Sequence, residues 1–401
     1  MGIKSLFPFL SDSAPLAIKE TKVEAMTGRE IAIDASMCLY QFLVAVRQGE
    51  AQANLSNAAG DVTSHIQGFL ARTVRLLELG IKPVYVFDGK PPELKAQTLA
   101  GRVEKKKEAD DELAAALEAG DAEDIRKAAH RTARATPQMN ADVQELLRLL
   151  GCPILLAPSE AEASCAALVK GGKVYATATE DMDALTFGTT VMLKNFFDTE
   201  SSRTNSKKPV YEVHLPTVLE QLDVSMATFI DFCILCGCDY CATVRGVGPS
   251  TAFKLLKTHG SLEAALASLD EAKRPTDEQM PYAQARAIFE APEVLDAASV
   301  SLEWKAADYA GLTAFLVQKH SFNEQRVAKY VERLKAMRAS GSQMRLDSFF
   351  KAGAPKAVPE GKKFDPWAKK PKAAGGKGAA GAGSKRAGKQ PVGGVAKRAK
   401  K

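Results

Sequence analysis

Four predicted strands, each followed within a few residues by an acidic side chain, constrain the fold of this chain more than any other feature. We predict buried strands at 29–33, 83–87, 153–156 and 173–178. Helical patterns lie between them, notably at 35–47, 62–79 and 137–150. Strands that alternate with helices are typical of parallel sheets. We therefore predict an α/β fold with a mostly parallel central sheet flanked by helices.

The acids that follow these strands are candidate functional residues. They are Asp34, Asp88, Glu160, Glu162, Asp181 and Asp183. Active sites of open α/β sheets lie at the carboxyl ends of the strands, where six carboxylates would repel one another unless cations neutralised them. An all-oxygen ligand set favours magnesium or manganese over zinc. Two such ions about 4 Å apart are the arrangement that hydrolyses phosphodiesters.

Some of these acids also fit local structural roles. Asp34 is placed to N-cap the helix at 35–47. Ser159 and Glu162 fit a capping box, which is compatible with metal binding through the other carboxylate oxygen of Glu162. Asp181 and Asp183 would point the same way in an extended segment and would diverge in a helical turn.

A second cluster of residues lies at 233–249. Four of the seven cysteines of the chain belong to it: Cys233, Cys236, Cys238 and Cys241. A single residue separates the two Cys-x-x-Cys pairs, whereas paired motifs of zinc sites stand about 12–20 residues apart, so the spacing disfavours a zinc site. Asp239 is a seventh candidate carboxylate. The glycine-rich turn at 246–249 opens a predicted helix at 250–257, where backbone N–H groups can approach a phosphate closely.

The charge of the chain is divided unevenly. Residues 351–401 carry fifteen Lys or Arg and two acids, a net charge of +13, so the other 350 residues carry −7 of the overall +6. The tail is too poor in apolar residues to fold alone, and we expect it to be disordered. Its basic residues from Lys385 to Lys401 have the spacing of a bipartite nuclear signal, and a solvated tail would look similar. We find no membrane span, signal peptide or myristoylation pattern, and expect reduced thiols.

Two further segments stand out. The segment 93–134 is rich in Ala, Glu, Lys and Arg and has helix propensity but little apolar stripe, which is typical of a solvated helix. At 343–350, Leu346 is followed by Phe349 and Phe350, so the three side chains would share one face of a helical turn. This pattern indicates either a docking peptide or a terminal helix that packs back on the body.

Several stretches together resemble a known family. They are Met1-Gly-Ile, Ile33-Asp-Ala-Ser, Val86-Phe-Asp-Gly-Lys-Pro-Pro, Ala157-Pro-Ser-Glu-Ala-Glu-Ala, Ala178-Thr-Glu-Asp-Met-Asp and Gly237-x-Asp-Tyr. The chain is similar here to flap endonucleases, which are XPG-like structure-specific nucleases, over about residues 1–350. The resemblance implies a PIN-like nuclease core with a helical arch and a helix–two-turn–helix region. The divisions that we predict are nuclease regions at 1–106 and 124–265, an arch segment at 107–123, a helical region at 266–341, a PCNA-interacting peptide at 342–350 and the tail at 351–401.

The resemblance also implies roles for individual residues. The metal ligands would be Asp34, Asp88, Glu160, Glu162, Asp181, Asp183 and Asp239. Lys95 and Arg102 would reach the scissile phosphate, and Tyr40 would stack on a base. The DNA contacts would be Gly2, Tyr40, Arg47, Arg72, Glu160, Gly237, Asp239, Gly246 and Gly248. The PCNA contacts would be Gln343, Leu346, Phe349 and Phe350, which match the pattern Q-x-x-L-x-x-F-F.

The implied activity is that of a magnesium-dependent 5′-flap endonuclease with 5′–3′ exonuclease activity, acting in Okazaki fragment maturation and long-patch base excision repair. It would bind two Mg²⁺ per subunit, replaceable by Mn²⁺, and a monovalent cation at the helix–two-turn–helix element. Its partners would be flap-structured DNA and the trimeric PCNA clamp, which it would bind as a monomer, with no membrane. The implied locations are the nucleus (nucleolus and nucleoplasm) and the mitochondrion. The alternatives are a clamp-bound DNA-binding scaffold without catalysis and a 5′ exonuclease acting on nicks or gaps.

The sequence departs from the family pattern at two pairs of positions. Cys236 and Cys238 stand where leucine and serine are expected. This departure further disfavours metal binding by these thiols as a function of the family. Ser250 and Thr251 stand where basic residues are common, which weakens the expected phosphate contact of the helix–two-turn–helix element. Lys254 is placed to compensate for this loss of charge.

Overall fold

Seven strands form one mixed sheet in the computed structural model, which describes residues 2–48, 63–119, 124, 135–197, 209–276 and 278–340. The strands are β1 (Ile18–Thr21), β2 (Glu30–Asp34), β3 (Lys82–Phe87), β4 (Ile154–Leu156), β5 (Ala176–Ala178), β6 (Val191–Lys194) and β7 (Val210–His214). They lie in the order β1-β7-β6-β5-β2-β3-β4. The five strands from β6 to β4 are parallel, whereas β7 is antiparallel to both of its neighbours. The predicted mostly parallel sheet is confirmed.

Helices cover both faces of this sheet and extend beyond it. Those before residue 200 are α1 (Leu6–Ser13), α2 (Ala35–Gln48), α3 (Ser64–Glu78), α4 (Ala96–Ala119), α5 (Pro137–Leu149), α6 (Ala161–Lys170) and α7 (Asp183–Thr186). Those after it are α8 (Leu215–Leu222), α9 (Met226–Cys236), α10 (Pro249–His259), α11 (Leu262–Ala267), α12 (Tyr282–Glu290), α13 (Tyr309–Thr313), a π-helix (Ala314–Lys319) and α14 (Glu324–Ser340). Short 3₁₀ segments lie at Pro15–Ala17, Val23–Met26, Glu93–Lys95, Glu271–Lys273 and Ala297–Ser299.

The central strands bury side chains on both faces, as parallel strands do. Ile31 and Ile33 of β2 belong to a core that includes residues of α2, α3 and α5, whereas Ala32 belongs to a smaller core formed with α6. A fully buried isoleucine contributes about 1.5–3 kcal/mol relative to an exposed one. The apolar runs that identified these strands in the sequence are thus explained by burial on two sides.

The sheet has a switch point between β2 and β5, where strands later in the chain are added on opposite sides of β2. From β2 the sheet continues to β3 and β4 on one side, and to β5 and β6 on the other. Ile33 of β2 pairs with Ala178 of β5, so the two strands end together at the same edge of the sheet. Ligands of open α/β sheets bind in the crevice at such a switch point. The edge that carries the predicted acids is therefore the expected position of the functional site.

The C-terminal helices form a second packed region on the sheet. Phe232 of α9 packs edge-on against Phe253 of α10, with ring centroids 5.6 Å apart. Arg286 of α12 donates to both carboxylate oxygens of Asp231, at 2.7 and 3.0 Å, and to Glu263 at 3.0 Å. This network joins α9, α11 and α12.

The segment predicted as a solvated helix begins as one continuous helix, α4, which is described as far as Ala119. Residues 120–123 and 125–134 lie outside the described residues, as do the peptide at 342–350 and the tail at 351–401. The predicted divisions of the chain stay predictions. Among the helices that the structure describes, none combines the length and apolar character needed to cross a membrane.

Candidate active site

The predicted carboxylates converge at the carboxyl edge of the sheet. Asp34 is the last residue of β2 itself, Asp88 follows β3, and Asp183 is the first residue of α7. Glu160 and Glu162 lie at the start of α6, Asp181 lies between β5 and α7, and Asp239 lies in the turn after α9. The interactions among six of these charges form a connected set, and Lys95 links the seventh, Glu160, to Asp239. The interacting pairs include Asp34 with Asp88 and Asp181, Glu162 with Asp34, Asp88 and Asp181, and Asp183 with Asp181 and Asp239.

Asp34 caps a helix and also lies within the acidic cluster. Its Oδ1 accepts a hydrogen bond from the backbone N–H of Met37 at 2.8 Å, which caps the first turn of α2. Its Oδ2 accepts from the Thr179 hydroxyl at 3.4 Å, across the switch point. One oxygen therefore caps a helix while the side chain remains within the acidic cluster.

The predicted capping box at the start of α6 is wrong. Glu160, not Ser159, is the N-cap residue, and it makes no side-chain capping bond. The amide of Ala161 instead donates to Oδ1 of Asp88 at 2.9 Å, so a residue from the end of β3 caps α6. Glu162 is thereby left to interact with the other acids of the cluster.

Asp181 and Asp183 reach the cluster without an extended backbone between them. Strand β5 ends at Ala178 and Met182 has helical dihedrals, so the spacing argument for a continuing strand does not apply. Oδ1 of Asp181 accepts from the Asp183 amide at 3.0 Å. Oδ1 of Asp183 accepts from the amide of Ile3 at 2.9 Å. A turn and a contact with the N-terminal segment thus orient the pair.

Gly2 lies against these two carboxylates. A Cβ atom at this position would stand 1.8 Å from Oδ1 of Asp181 and 2.4 Å from Oδ1 of Asp183, and the φ of +70° also favours glycine. Any side chain would therefore displace the acids. Gly2 therefore lies against two of the acids, and its contact with DNA stays a prediction.

The electrostatics of the cluster require positive charge. Burial, together with the neighbouring charge of Asp88, raises the pKa of Asp34 to about 8. Burial and nearby acids raise the pKa of Glu162 and of Asp183 well above their usual values. Burial disfavours the ionised carboxylates and the neighbouring acids repel them, and a bound cation would favour the ionised form.

The donor set suits a hard divalent cation. Its members are carboxylate oxygens, the ligands that magnesium and manganese prefer. Across residues 2–340, apart from the stretches that the structure does not describe, no three acidic, histidine or cysteine side chains are already arranged to hold an ion. The carboxylates nevertheless fit the predicted metals by chemistry and charge.

Lys95 supplies a positive charge within this cluster. Its ammonium group forms a salt bridge with Oε1 of Glu160 and another, at 3.3 Å, with Oδ2 of Asp239. Burial alone would lower the pKa of Lys95, but Glu160, Glu162 and Asp239 raise it above its usual value. The lysine is therefore charged at neutral pH, and its contact with the scissile phosphate stays a prediction.

The predicted DNA-contacting residues occupy different environments. Tyr40 is 41% exposed and is available for stacking. The guanidinium of Arg72 stacks on Phe42 and Phe197, 4.0 and 4.3 Å from the ring centroids. The side chains of Arg47 and Arg102, and the whole PCNA motif of Gln343, Leu346, Phe349 and Phe350, lie outside the described residues.

The three predicted contact glycines after residue 230 also differ. Gly237 is buried with a φ of +102°, and a Cβ there would lie 2.2 Å from Cγ2 of Thr243. It shapes the turn that presents Asp239, and a direct contact with DNA stays a prediction. Gly246 and Gly248 are exposed with open space around them, and Gly248 is the N-cap residue of α10. Their backbone is accessible to a phosphate.

The cysteines contribute no disulfide, since all seven are free thiols. Burial raises the pKa of Cys233 and of Cys236, so both are protonated at neutral pH. Metal binding requires a thiolate. The spacing argument against a zinc site in this segment stays a prediction.

Sequence reasoning gave no role to several residues that orient the acids. These are Ile3, Thr98, Thr179 and Tyr240. Ile3, Thr179 and Tyr240 stand inside or beside the motifs that carry the family resemblance, and that position was the available signal. Thr98 stands in the helical insertion, where nothing in the local pattern distinguishes it.

Gly89 yields a stability prediction. Its amide donates to the carbonyl of Ser159 at 2.7 Å, and an added Cβ would lie 2.0 Å from the carbonyl oxygen of Ala157. Because backbone cannot yield as a side chain can, Gly89→Ala is expected to lower the free energy of unfolding by about 1–3 kcal/mol. Denaturant titration measures the change. The matched control is Gly101→Ala, a helical position with nothing within 4 Å, and equal stability of the two variants would contradict the prediction.

Two family models, a curated relative and two solved structures match this chain. The XPG N-terminal domain model matches residues 1–109 and the XPG I-region model matches residues 151–239, and together these ranges contain all seven acids. Flap endonuclease 1 of Glycine max is 48% identical over 384 residues, covering 94% of this chain and 99% of the relative. Flap endonuclease-1 of Methanococcus jannaschii is 33% identical, with a TM-score of 0.63 over 82% of this chain and 98% of that one. The catalytic core of Rad2 in complex with DNA substrate is 25% identical, with a TM-score of 0.61 over 83% and 99%.

Proposed function

This chain belongs to the flap endonucleases of the XPG family, and we propose that it cuts 5′ flaps beside the junction of single strand and duplex with divalent ions held by its acidic cluster. It is a structure-specific nuclease that hydrolyses DNA. The proposed products are a 5′-phosphate and a nick that can be ligated. The same centre would act as a 5′–3′ exonuclease.

The convergence of seven carboxylates at the switch point of the sheet carries this proposal. Such a cluster is unfavourable by itself, because burial and mutual repulsion raise the pKa values of its members. A protein that only bound DNA would gain nothing from it, since the same charges repel phosphates. The arrangement is explained when it holds cations that act on a phosphodiester.

The proposed ligands of two Mg²⁺, with Mn²⁺ as a substitute, are the seven acids that converge. They are Asp34, Asp88, Glu160, Glu162, Asp181, Asp183 and Asp239. When bound, the ions supply Lewis-acid stabilisation of the charge that develops on the attacked phosphate. Seven carboxylates and two divalent ions would leave about three negative charges. Lys95 and Arg102 would offset these and orient the scissile phosphate.

The DNA-binding surface would extend from this centre in two directions. Tyr40, exposed on α2, would stack on a base next to the cleavage site. The start of α10 would hold the downstream duplex, because the backbone of Gly246 and Gly248 is open and a helix N-terminus attracts phosphate. Ser250, Thr251 and Lys254 are exposed on its first turns, and Lys254 would supply charge that the two hydroxyl residues lack. A monovalent cation at this element is part of the proposal.

We propose a cellular role from the pattern at 343–350 and from the basic tail. The Q-x-x-L-x-x-F-F pattern at 343–350 would bind the trimeric PCNA clamp and bring a monomeric nuclease to replication and repair sites. The basic tail would direct the chain to the nucleus and add non-specific attraction to DNA. Okazaki fragment maturation and long-patch base excision repair are the proposed processes, with the mitochondrion as a second compartment.

A flap with a blocked 5′ end separates the proposed reaction from its alternatives. The resemblance implies that the segment at 107–123 arches over the flap, so a flap passing under it would have to enter by its free end. A bulky block added before the enzyme is expected to slow cleavage by about 10²-fold, the scale of a misplaced reacting group. Single-turnover cleavage measures the rate. The same block at the 5′ end of the template strand is the matched control, and should have no effect.

The results of this experiment distinguish flap cleavage from the two alternative functions. Equal rates on blocked and free flaps would exclude entry by the free end. Release of single nucleotides from a nick, with no flap product, would favour the nick or gap exonuclease. Binding without any product in magnesium would favour the clamp-bound scaffold.

A further inference from the structure

Two carboxylates hold the ammonium group of Lys95. Oε1 of Glu160 forms one salt bridge with it, and Oδ2 of Asp239 forms the other at 3.3 Å. The lysine side chain is 15% exposed. Since a lysine has a long flexible stem, its ammonium group is located by these partners rather than by its own rotamer.

A hydroxyl group holds each of these acidic residues in turn. The phenol of Tyr240 donates to Oε2 of Glu160, the oxygen that Lys95 does not use. The hydroxyl of Thr98 donates to the main-chain carbonyl of Asp239 at 2.7 Å. Neither hydroxyl has a role in the proposed function.

Tyr240 is fixed from behind. Its ring packs edge-on against Phe289, with centroids 5.0 Å apart, and the residue is only 3% exposed. A side chain so buried is not placed to touch DNA, so its hydroxyl acts on Glu160. Because Glu160 is also buried, water would not readily replace the lost donor.

Thr98 is fixed by the helix that bears it. It stands in the first turn of α4, three residues after Lys95, so the two residues lie near each other on the base of the arch helix. The bond from Thr98 spans 141 residues of sequence to the Asp239 turn. It therefore joins the base of the arch to the backbone of Asp239, the residue whose carboxylate holds Lys95.

We propose that Tyr240 and Thr98 are positioning residues that set Lys95 for the scissile phosphate, Tyr240 through Glu160 and Thr98 through the Asp239 turn. This inference rests on the proposed flap cleavage. It predicts that removal of either hydroxyl slows the chemical step without weakening the binding of the flap. Partners that orient the residues of a site typically contribute 10–100-fold.

The test uses variants that remove a hydroxyl and keep the shape of the side chain. Tyr240→Phe and Thr98→Val are each expected to lower the single-turnover rate on a saturating flap by about 10-fold. The dissociation constant of the flap should not change. Thr98→Ser restores the donor and should restore most of the rate. Tyr330→Phe, on α14, is the matched control, and circular dichroism verifies that every variant is folded.

The decisive comparison repeats both substitutions in a Lys95→Ala background. Residues that act through Lys95 lose their effect when it is absent, so neither substitution should slow Lys95→Ala further. A penalty as large as in the wild type would overturn the proposal, since the hydroxyls would then act by another route. Wild-type rates for both single variants would also overturn it. If the wild-type chain itself fails to cut the flap in magnesium, the proposed function fails and this inference falls with it.

Discussion

Asp181→Ala is expected to abolish cleavage of a 5′ flap while leaving the affinity for the flap intact. Asp181 is buried within the acidic cluster, and burial raises the pKa of its carboxyl group. Its removal would take away a proposed metal ligand, and we expect the rate to fall by at least about 10³-fold, the scale of losing an essential catalytic group. Binding should persist because the proposed DNA contacts lie on other residues, and because one negative charge fewer faces the phosphates. Single-turnover cleavage and fluorescence anisotropy measure the two quantities.

Two further variants separate the loss of a ligand from the loss of structure. Asp181→Asn keeps an oxygen that can accept from the Asp183 amide, which Oδ1 of Asp181 does at 3.0 Å, but it lacks the charge. It should be folded and inactive. Asp270→Ala removes an exposed carboxylate that pairs with Lys273 and should cut normally. Magnesium-dependent cutting by Asp181→Ala would rule out Asp181 as a required ligand.

Replacing Phe349 and Phe350 together with alanine is expected to weaken binding of the PCNA clamp by at least about 100-fold. Aromatic anchors of interfaces typically cost 2 kcal/mol or more each when truncated, and each 1.4 kcal/mol corresponds to a factor of ten. Basal cleavage without the clamp should not change, because the two residues follow the helical body in the sequence. Calorimetric titration with the trimeric clamp measures the affinity.

Phe364→Ala is the matched control for this pair. Phe364 stands in the basic tail, outside the Q-x-x-L-x-x-F-F pattern. If the double variant binds the clamp as tightly as the wild type, the segment at 343–350 is not the docking peptide. An equal loss in Phe364→Ala would mean that the tail as a whole, and not the pattern, provides the contact.

Much of the fold was predictable from local sequence. The strand predicted at 83–87 is observed at Lys82–Phe87, and the helix predicted at 137–150 is observed at Pro137–Leu149. In both segments the spacing of the apolar residues indicates which side chains are buried. The strand predicted at 173–178 is shorter, since residues 173–175 form bends between α6 and β5. The periodicity of the apolar residues predicts whether a segment is a helix or a strand. The residue at which it ends depends on turns that this periodicity does not encode.

The capping of helices was less predictable. Ser159 and Glu162 have the spacing of a capping box, yet the carboxylate of Asp88 caps α6. Asp88 lies 73 residues earlier in the chain. The spacing of Ser159 and Glu162 indicates only which capping hydrogen bonds are possible within one helical turn. It contains no information about a competing acceptor that parallel pairing brings to the same edge.

By itself the sequence determined that acids would collect at one edge of a parallel sheet, because strand ends and the acids after them are local features. It also determined which family the chain resembles, through motifs that surround those acids. Only the tertiary structure decided how distant residues hold the acids: the Ala161 amide donates to Asp88, and the ammonium group of Lys95 lies between Glu160 and Asp239. The contacts of Tyr240 with Glu160 and of Thr98 with Asp239 span 80 and 141 residues. Such contacts depend on how helix α4, helix α6 and the turn after α9 pack together, and that packing sets distances that no local pattern specifies.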